Sequence, residues 1–559
     1  MKKILIIFLL LGIVSVGSEG ITSFALAKPH LNFTDITSGP DKGIGDGLGS
    51  GSIVTVWGNN LGASQGTSKI FFQDSTSTVR EASYVYYWKN ADGFPPGGPA
   101  DLSTYQEMQE IAFSIPDSAM GTGTIYVIVG GEMSNGLPFT VRSGNIYHVK
   151  STGNDTNNGS FSSPWLTLSA ALSGDGKVKR GDIIYTHGVG STRDINVGAI
   201  AGLVGTNDEP FSVIVYPGTT AQVTGTISAF RNMNGGSYYL NFSKFTVSTK
   251  YQAFSLFQGS RIVGNNVTGP TINSGYSGWI GGGCAGKSPD HCGGHRIYGN
   301  EVHDYGKDDG TVDQFQHLFY ISNRSGLIAE GFEIGWNYLH DNPIYQGIHI
   351  YDQEACGGWN GAIDIHNNVI KNQGGNSLNI NLNCASNSTT INIYNNLTIT
   401  DTGYNLPNRS APAASLRVDV PPDTVVNVIN NTFAGWGATS SLTSGSIHVH
   451  SNIWLGNRNV GYVTGAPETH SNNIFYNTNY TPILPSWHEL TTTVNPLLPN
   501  YKPVEGSQAI DVANNAILTY CTTDIVGQER VPNAIDIGAF ERTTEPYLTR
   551  FKIIDVTIE

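Results

Sequence analysis

The chain has 559 residues, 39% apolar and 13% charged, which is enough apolar material for a large core and excludes a disordered chain or a disulfide-stapled miniprotein. Its 68 glycines, among abundant Asn, Ser and Thr, favour turns and strands over helical bundles, so an all-β protein of more than one domain is expected. A net charge of −14 without clustered Lys and Arg excludes a general nucleic-acid binder, which must neutralise phosphates.

Residues 1–27 read as a secretory signal peptide. Lys2 and Lys3 precede an apolar run from Ile4 to Val16, and Ala25-Leu26-Ala27 offers small residues for cleavage. The run is shorter than the roughly 20 residues that span a bilayer, and no later segment is long enough. A product exported to the extracellular space or periplasm, with no membrane span, is therefore expected. Cleavage would remove two lysines and one glutamate, taking the net charge from −14 to −15. The five cysteines lie beyond this segment, where export permits disulfides. Either Cys284 pairs with Cys292 and Cys356 with Cys384, leaving Cys521 over, or all remain free thiols.

Residues 28–142 form a unit of short alternating strands separated by Gly and Asn turns. Val54-Thr-Val-Trp-Gly-Asn-Asn-Leu-Gly62 is followed by Ser68–Phe72, Ile111–Pro116, Thr124–Val129 and, after Ser134-Asn135, Phe139–Val141. This spacing predicts a small β-sandwich. The G-x-N-L-G turn, the V-x-F strand and the late S-N resemble an IPT/TIG immunoglobulin-like domain. That resemblance implies either a positioning or glycan-contacting module or a spacer.

From there to residue 545 the organising feature is an internal repeat. An apolar residue, two variable positions and an Asn recur at Ile262–Asn265, Ile297–Asn300, Ile334–Asn337, Ile365–Asn368, Ile393–Asn396, Val428–Asn431 and Val449–Asn452, with Thr469–Asn472 continuing the series. Successive asparagines lie 35, 37, 31, 28, 35, 21 and 20 residues apart. A unit returning so often implies a solenoid whose coils bury one another. A turn Asn stacked on its neighbours satisfies amide groups that would otherwise cost a few kcal/mol each to bury. The expected fold is a right-handed parallel β-helix over residues 143–545, preceded by the immunoglobulin-like sandwich and followed by a tail, 546–559.

Both ends of the solenoid also carry a resemblance. Tyr147–Asp155, Asn158-Gly159, Pro164-Trp165, Leu168–Ala171 and Arg180–Tyr185 are similar to the entry cap of secreted pectate-lyase-like proteins, in which a short helix leads into a G-D-x-I-Y strand. Gly506–Asp511, Thr522–Asp524, Gly527, Arg530 and Asp536–Glu541 resemble the closing segment of exported bacterial β-helix proteins. These motifs imply architecture, and the family implies polysaccharide as the partner.

The strands that carry candidate chemistry align through inward apolar residues: Leu318, Ile348, Leu378 and Leu416, then Tyr320, Ile350, Ile380 and Val418. Between them, Phe319, His349, Asn379 and Arg417 form one outward column, and Ile321, Tyr351, Asn381 and Asp419 its neighbour. Coils stack about 4.8 Å apart, which brings this patch within reach of sugar rings. His349 supplies a general base near neutral pH, Tyr351 a proton donor, and Arg417 a bidentate partner for a carboxylate, the parts that β-elimination of a uronate requires. Asn379, Asn381, Asp419 and His317 are the expected substrate contacts, with Asp352 and Glu354 at the border of the groove. The same Asp352, Glu354 and Asp419 give a hydrolase alternative.

The insertion Lys307–His317 contains Asp308, Asp309 and Asp313, three carboxylates that could take Ca²⁺, an oxygen-seeking cation, or supply acid and base for hydrolysis with Lys307 as a further base, although a solvated acidic loop is the plainer reading. Asn-x-x-His-Asp occurs at Asn300–Asp304 and Asn337–Asp341, and stacked His303 and His340 there are expected to stabilise turns rather than catalyse. Trp279, Trp336, Trp359, Tyr345 and Trp436 are candidates for stacking on sugar faces, or for capping the core. Gly281–Ser288 fits a phosphate-loop spacing, but Pro289-Asp290 follows where a helix must begin, and the match is discarded. There is no HExxH pattern, and His291 beside Cys284 and Cys292 is too sparse a set for a metal site. The leading expectation is a secreted lyase acting on an acidic polysaccharide. The alternatives are a glycoside hydrolase in the same groove and a non-catalytic glycan-binding adhesin.

Overall fold

A computed structural model describes residues 27–542 except 173–176, 192–194, 197–204, 226–227, 232–238, 250–251, 257, 270–279, 285–292, 306–315, 324–327, 344, 353–357, 383–388, 402–413, 436–438, 443–444, 457–458, 462–467 and 479–487. The expected signal peptide up to residue 26, the tail from 546, Asp308, Asp309, Asp313, Glu354, Trp279, Trp436, Cys292, Cys356 and Cys384 therefore lie outside the described residues, as do the side chains of Asp352 and Cys284. Cys521 is a free, half-buried thiol. Among the described residues no helix is long and apolar enough to cross a membrane.

The N-terminal unit is an immunoglobulin-like sandwich. One antiparallel sheet joins His30–Thr34, Ile53–Asn59, Gln109–Ser114 and Tyr84–Asn90, and the other is built on Leu137–Val141, Gly121–Val129 and Lys69–Gln73. Alternation places Val54, Val56, Ile70, Phe72, Ile125 and Val127 in the shared core. The asparagines and glycines of the first turn serve its backbone: Asn60 and Gly62 have φ of 59° and 85°, and the Trp88 indole donates to the Leu61 carbonyl (3.0 Å).

The remainder is a parallel β-helix with three faces. The first is a twelve-stranded sheet from Ile146–Lys150 to Glu468–Ser471, the second has eleven strands from Ala221–Gly225 to Leu490–Thr492, and the third has ten, from Ile195–Asn196 to Asn459–Gly461. Every pairing in these sheets is parallel, and crossovers between parallel strands take the right hand. Each complete coil visits the first, second and third faces in turn. The entry follows the expected motif: Thr167 caps the short helix Leu168–Ala171 by accepting from the Ala170 amide (3.1 Å), and the strand Ile183–His187 follows.

At the corner between the first and second faces the asparagines stack. The Asn300 backbone N–H and side-chain amide both donate to Oδ1 of Asn337 (2.9 and 3.0 Å), and the same amide donates to the Ile262 and Tyr298 carbonyls (2.9 and 3.1 Å). This pattern repeats through Asn265, Asn300, Asn337, Asn368, Asn396, Asn431, Asn452 and Asn473, all buried. The last member corrects the sequence reading. Asn472 is not in the ladder; it has φ of 58° and donates to the Val512 carbonyl (2.7 Å) at the surface. The inward position of this coil is filled by His470, 3.6 Å from buried Glu489, so a rule demanding an apolar or β-branched first residue slipped by one. The residue before each ladder Asn carries a positive φ, as at Gly264, Gly299, Trp336, Asn367, Asn395, Asn430, Ser451 and Asn472, which turns the chain through the corner.

Both flanking units cover that corner. The sandwich packs Phe33, Trp57, Leu102 and Met108 against Val263, Tyr298, Tyr338 and Val369, and Gln106 donates to the Trp336 carbonyl (2.8 Å). Lys244 of the solenoid, 3% exposed at its side chain, reaches Thr55 (2.8 Å) and Asp35 (3.9 Å) inside the sandwich. Farther along, Asn395 donates to the Thr523 carbonyl (2.9 Å), Asn430 to that of Asp536 (2.8 Å), and Arg530 bonds Asn395 (2.8 Å) and Glu541. The closing segment thus runs back along the side of the solenoid. A sandwich buried this deeply is a docked part of the body.

Replacing Asn396 with Ala strips the acceptor from two donors of Asn368 in a site without water access. At about 1–3 kcal/mol for each buried group left unmet, N396A is expected to lose about 3 kcal/mol of unfolding free energy, read as a lower midpoint in urea denaturation.

Candidate functional site

The third face carries the candidate site on four consecutive strands, His317–Asn323, Gln346–Asp352, Leu378–Asn381 and Leu416–Asp419. Ile348, Leu378 and Leu416 align, as do Ile350, Ile380 and Val418, all pointing into the core. His349, Asn379 and Arg417 form one outward column and Tyr351, Asn381 and Asp419 the next, as the sequence predicts.

On the preceding coil the register differs from expectation. Phe319 pairs with Ile348 and Ile321 with Ile350, so Tyr320 and Ser322 stand in the outward columns, beside His349 and Tyr351. The run Leu318-Phe319-Tyr320-Ile321 has no polar alternation, and Leu318 is buried as expected, so its parity was ambiguous. The β-branched Ile321, matching Ile350, Ile380 and Val418, is the signal that fixes it. Tyr320 and Ser322 are the residues that sequence reasoning missed.

Rings dominate the His349 end. The His349 ring lies 5.4 Å from Tyr320, 5.4 Å from Tyr351 in a stacked arrangement and 4.6 Å from His317. Its Nδ1 is 3.5 Å from Nε2 of His317, at the edge of hydrogen-bonding range, while its Nε2 has no partner among the described residues. His317, expected to touch substrate, is 2% exposed and sits behind His349 between Tyr320 (4.9 Å) and Tyr345 (5.1 Å). It positions the ring. Asn379 is also nearly closed off at 4% exposure and accepts from the Asn376 amide (3.2 Å). Tyr351, Asn381 and Asp419 are half-buried, and Arg417 is exposed, its guanidinium 3.9 Å from the Asp419 carboxylate.

Burial, and then the charge of Arg417, lower the His349 pKa from 6.5 to about 3. The imidazole is therefore neutral at neutral pH with an unprotonated nitrogen, rather than poised near pH 7. A bound carboxylate that pairs with Arg417 would cancel the second cause and strengthen His349 as a base.

The aromatic candidates separate. Tyr345 belongs to the site. Trp336 is half-buried and packs on Phe33 (5.1 Å) beneath the sandwich, and Trp359, 1% exposed against Phe332 (5.1 Å), is too buried to stack on a sugar. His303 and His340 stack on the second face with rings 4.7 Å apart, away from this site. The proposed calcium ligands Asp308, Asp309 and Asp313, and the hydrolytic candidate Glu354, lie outside the described residues, while Asp352 is placed by its backbone alone, opposite Asn323.

Below pH 6.5 the unfolded chain takes up a proton at His349 that the folded chain refuses until about pH 3. Stability from this group is complete above pH 6.5 and is lost as pH falls through that window. His349→Gln should therefore flatten the acid side of the stability profile by up to about 1.4 kcal/mol per pH unit, measured by denaturant unfolding between pH 4 and pH 7.

No family model matches the chain, and neither does any curated protein. Among solved structures, XylC in complex with xylose aligns over 71% of this chain and 98% of its own, at 10% identity and a TM-score of 0.44. A variant of the PL6-family alginate lyase AlyGC aligns over 69% and 59%, at 11% identity and a TM-score of 0.30. A mannuronic-acid-specific family 6 polysaccharide lyase from human gut microbiota aligns over 55% and 77%, at 12% identity and a TM-score of 0.21.

Proposed function

We propose that the third face binds an acidic, uronate-containing polysaccharide and cleaves it by β-elimination, and that the protein does so after export. The observation that carries this reading is a half-exposed guanidinium, Arg417, two coils from a half-buried neutral imidazole, His349, whose Nε2 is unpartnered among the described residues. Arg417 takes the uronate carboxylate and disperses the charge that develops when the adjacent C–H is broken. His349 Nε2, closed to solvent in the free protein, accepts the C5 proton once substrate displaces what covers it, with His317 behind the ring. The C5–H electrons form the C4=C5 double bond as the C4–O bond breaks, and the phenol of Tyr351 gives its proton to the departing glycosidic oxygen. Asn381 and Tyr345 border the sugar path, and Asp419 holds Arg417 when no substrate is present.

Hydrolysis asks for two carboxylates on opposite sides of the bond, and Asp419 is the one acidic side chain described on these strands. Its neighbour in the column, Asn381, is neutral, and the other carboxylates of the hydrolytic reading, Asp352 and Glu354, have no described side chains.

The purified protein should be incubated with pectic, alginate, glucuronan and neutral polysaccharides, with and without Ca²⁺, while ultraviolet absorbance of the unsaturated uronate and reducing ends are followed together. Elimination raises both. Reducing ends alone would replace the proposal with hydrolysis, and binding without either signal would replace it with a glycan-binding role. H349A should lower the rate about 10²–10⁴-fold, and R417A should raise KM for acidic substrates and lower kcat.

A further inference from the structure

On the second face, at the edge of the sandwich, Glu301–His303 and Tyr338–Asn342 pair so that His303 stands beside His340. The rings are parallel within 1° and 4.7 Å apart. Each Nδ1 is held by the carboxylate of the next residue, Asp304 at 2.7 Å and Asp341 at 2.9 Å, and both aspartates have positive φ (52° and 51°), which folds them back onto their own histidines. The two Nε2 atoms are thereby turned the same way. His340 Nε2 is 3.2 Å from Oε1 of Glu301, and His303 Nε2 is 3.3 Å from Oδ1 of Asn266. The other Glu301 oxygen is occupied by the Asn266 amide (2.7 Å) and the backbone N–H of Asp101 in the sandwich (3.0 Å).

We propose that Glu301, His303 and His340 bind a divalent transition metal of the zinc type, with an open fourth position. Two imidazole nitrogens and one carboxylate oxygen are the donors such ions prefer, and all three ligand atoms lie within 4.8 Å of one another. Tetrahedral bonds of about 2.0–2.1 Å need ligand atoms about 3.3 Å apart, a spacing the Glu301–His340 pair already has. His303 has to tilt off Asn266 to complete it, and the metal replaces the proton that His340 shares with Glu301. The carboxylates on both Nδ1 atoms are the outer partners that orient histidine ligands and strengthen them as donors. The side chains of Glu301, His303 and His340 are 13%, 19% and 13% exposed, so an ion can enter from solvent. Lys371, opposite His340 on the next coil, is committed to Asp401 (2.9 Å). A bound ion would tie two coils to each other and, through Glu301 and Asp101, to the sandwich.

The test uses chelator-treated full-length protein, shown to be folded by circular dichroism, titrated with Co²⁺ and Zn²⁺. One equivalent of Co²⁺ should give intense visible d–d bands of tetrahedral geometry, Zn²⁺ should displace it, and Zn²⁺ should raise the melting temperature. The H303A/H340A double variant should lose the bands. E301Q keeps the size and the bond from Asp101, so it should remain folded while its Zn²⁺ affinity falls by about 10–100-fold or more. Folded wild-type protein without the bands, or variants that keep bands and stoichiometry unchanged because other groups hold the ion, would overturn the proposal.

Discussion

The buried asparagine corner is the constraint from which the rest of the architecture follows. A coil that turns through about two residues leaves backbone N–H and C=O groups pointing along the solenoid axis, and in a dry interior each would cost a few kcal/mol. One amide side chain per coil answers this, as at Asn337, whose oxygen receives two donors from the coil before while its nitrogen reaches two carbonyls and the next amide oxygen. No other uncharged side chain of that length offers both functions. The sandwich shields the earlier coils through Phe33, Trp57 and Gln106, and the closing segment shields the later ones through Thr523, Arg530 and Asp536. The two covers meet where Gly527 lies against Asn59, too close for a side chain.

Covering one corner decides which surface is left for ligands. The candidate groove on the third face meets neither cover through any contact described between them, and of its outward columns Arg417 is exposed, His349, Tyr351, Asn381 and Asp419 are half-buried, and Tyr320, Ser322 and Asn379 are buried. There the balance shifts from packing to electrostatics. His349 is buried enough to lose its charge, its Nε2 closed to solvent and without a partner among the described residues, while the side chain of Arg417, two coils on, remains 48% exposed. A stack of strands sets such separations by the fixed coil spacing, so the chemistry on a β-helix is chosen by which coil carries which side chain.

Much of this was legible residue by residue. The repeated Asn at positions 265, 300, 337, 368, 396, 431 and 452 revealed both the fold and the coil boundaries, since only stacking explains such recurrence. The pairing of His349 with Asn379 and Arg417 followed from aligning inward apolar residues. The eighth ladder residue and the Tyr320 coil were misread for one reason. A period of two gives no warning when the inward position holds His470, or when four apolar residues run together, and one residue of slip sends every side chain to the other face. The fates of Trp336 and Trp359 were illegible because a turn aromatic looks the same in sequence whether it faces solvent, core or a second domain.

By itself the sequence determined the all-β class, the solenoid, the sandwich before it and the polar columns of the third face. These depend on local alternation and on repetition, both written along the chain. Tertiary structure alone decided that the sandwich is docked rather than a stalk, that His317 stands behind His349, and that His303 and His340 share a direction with Glu301. Those outcomes depend on burial and on contacts between residues as far apart as Asp101 and Glu301, which are set by how coils and domains pack, and no local pattern encodes them.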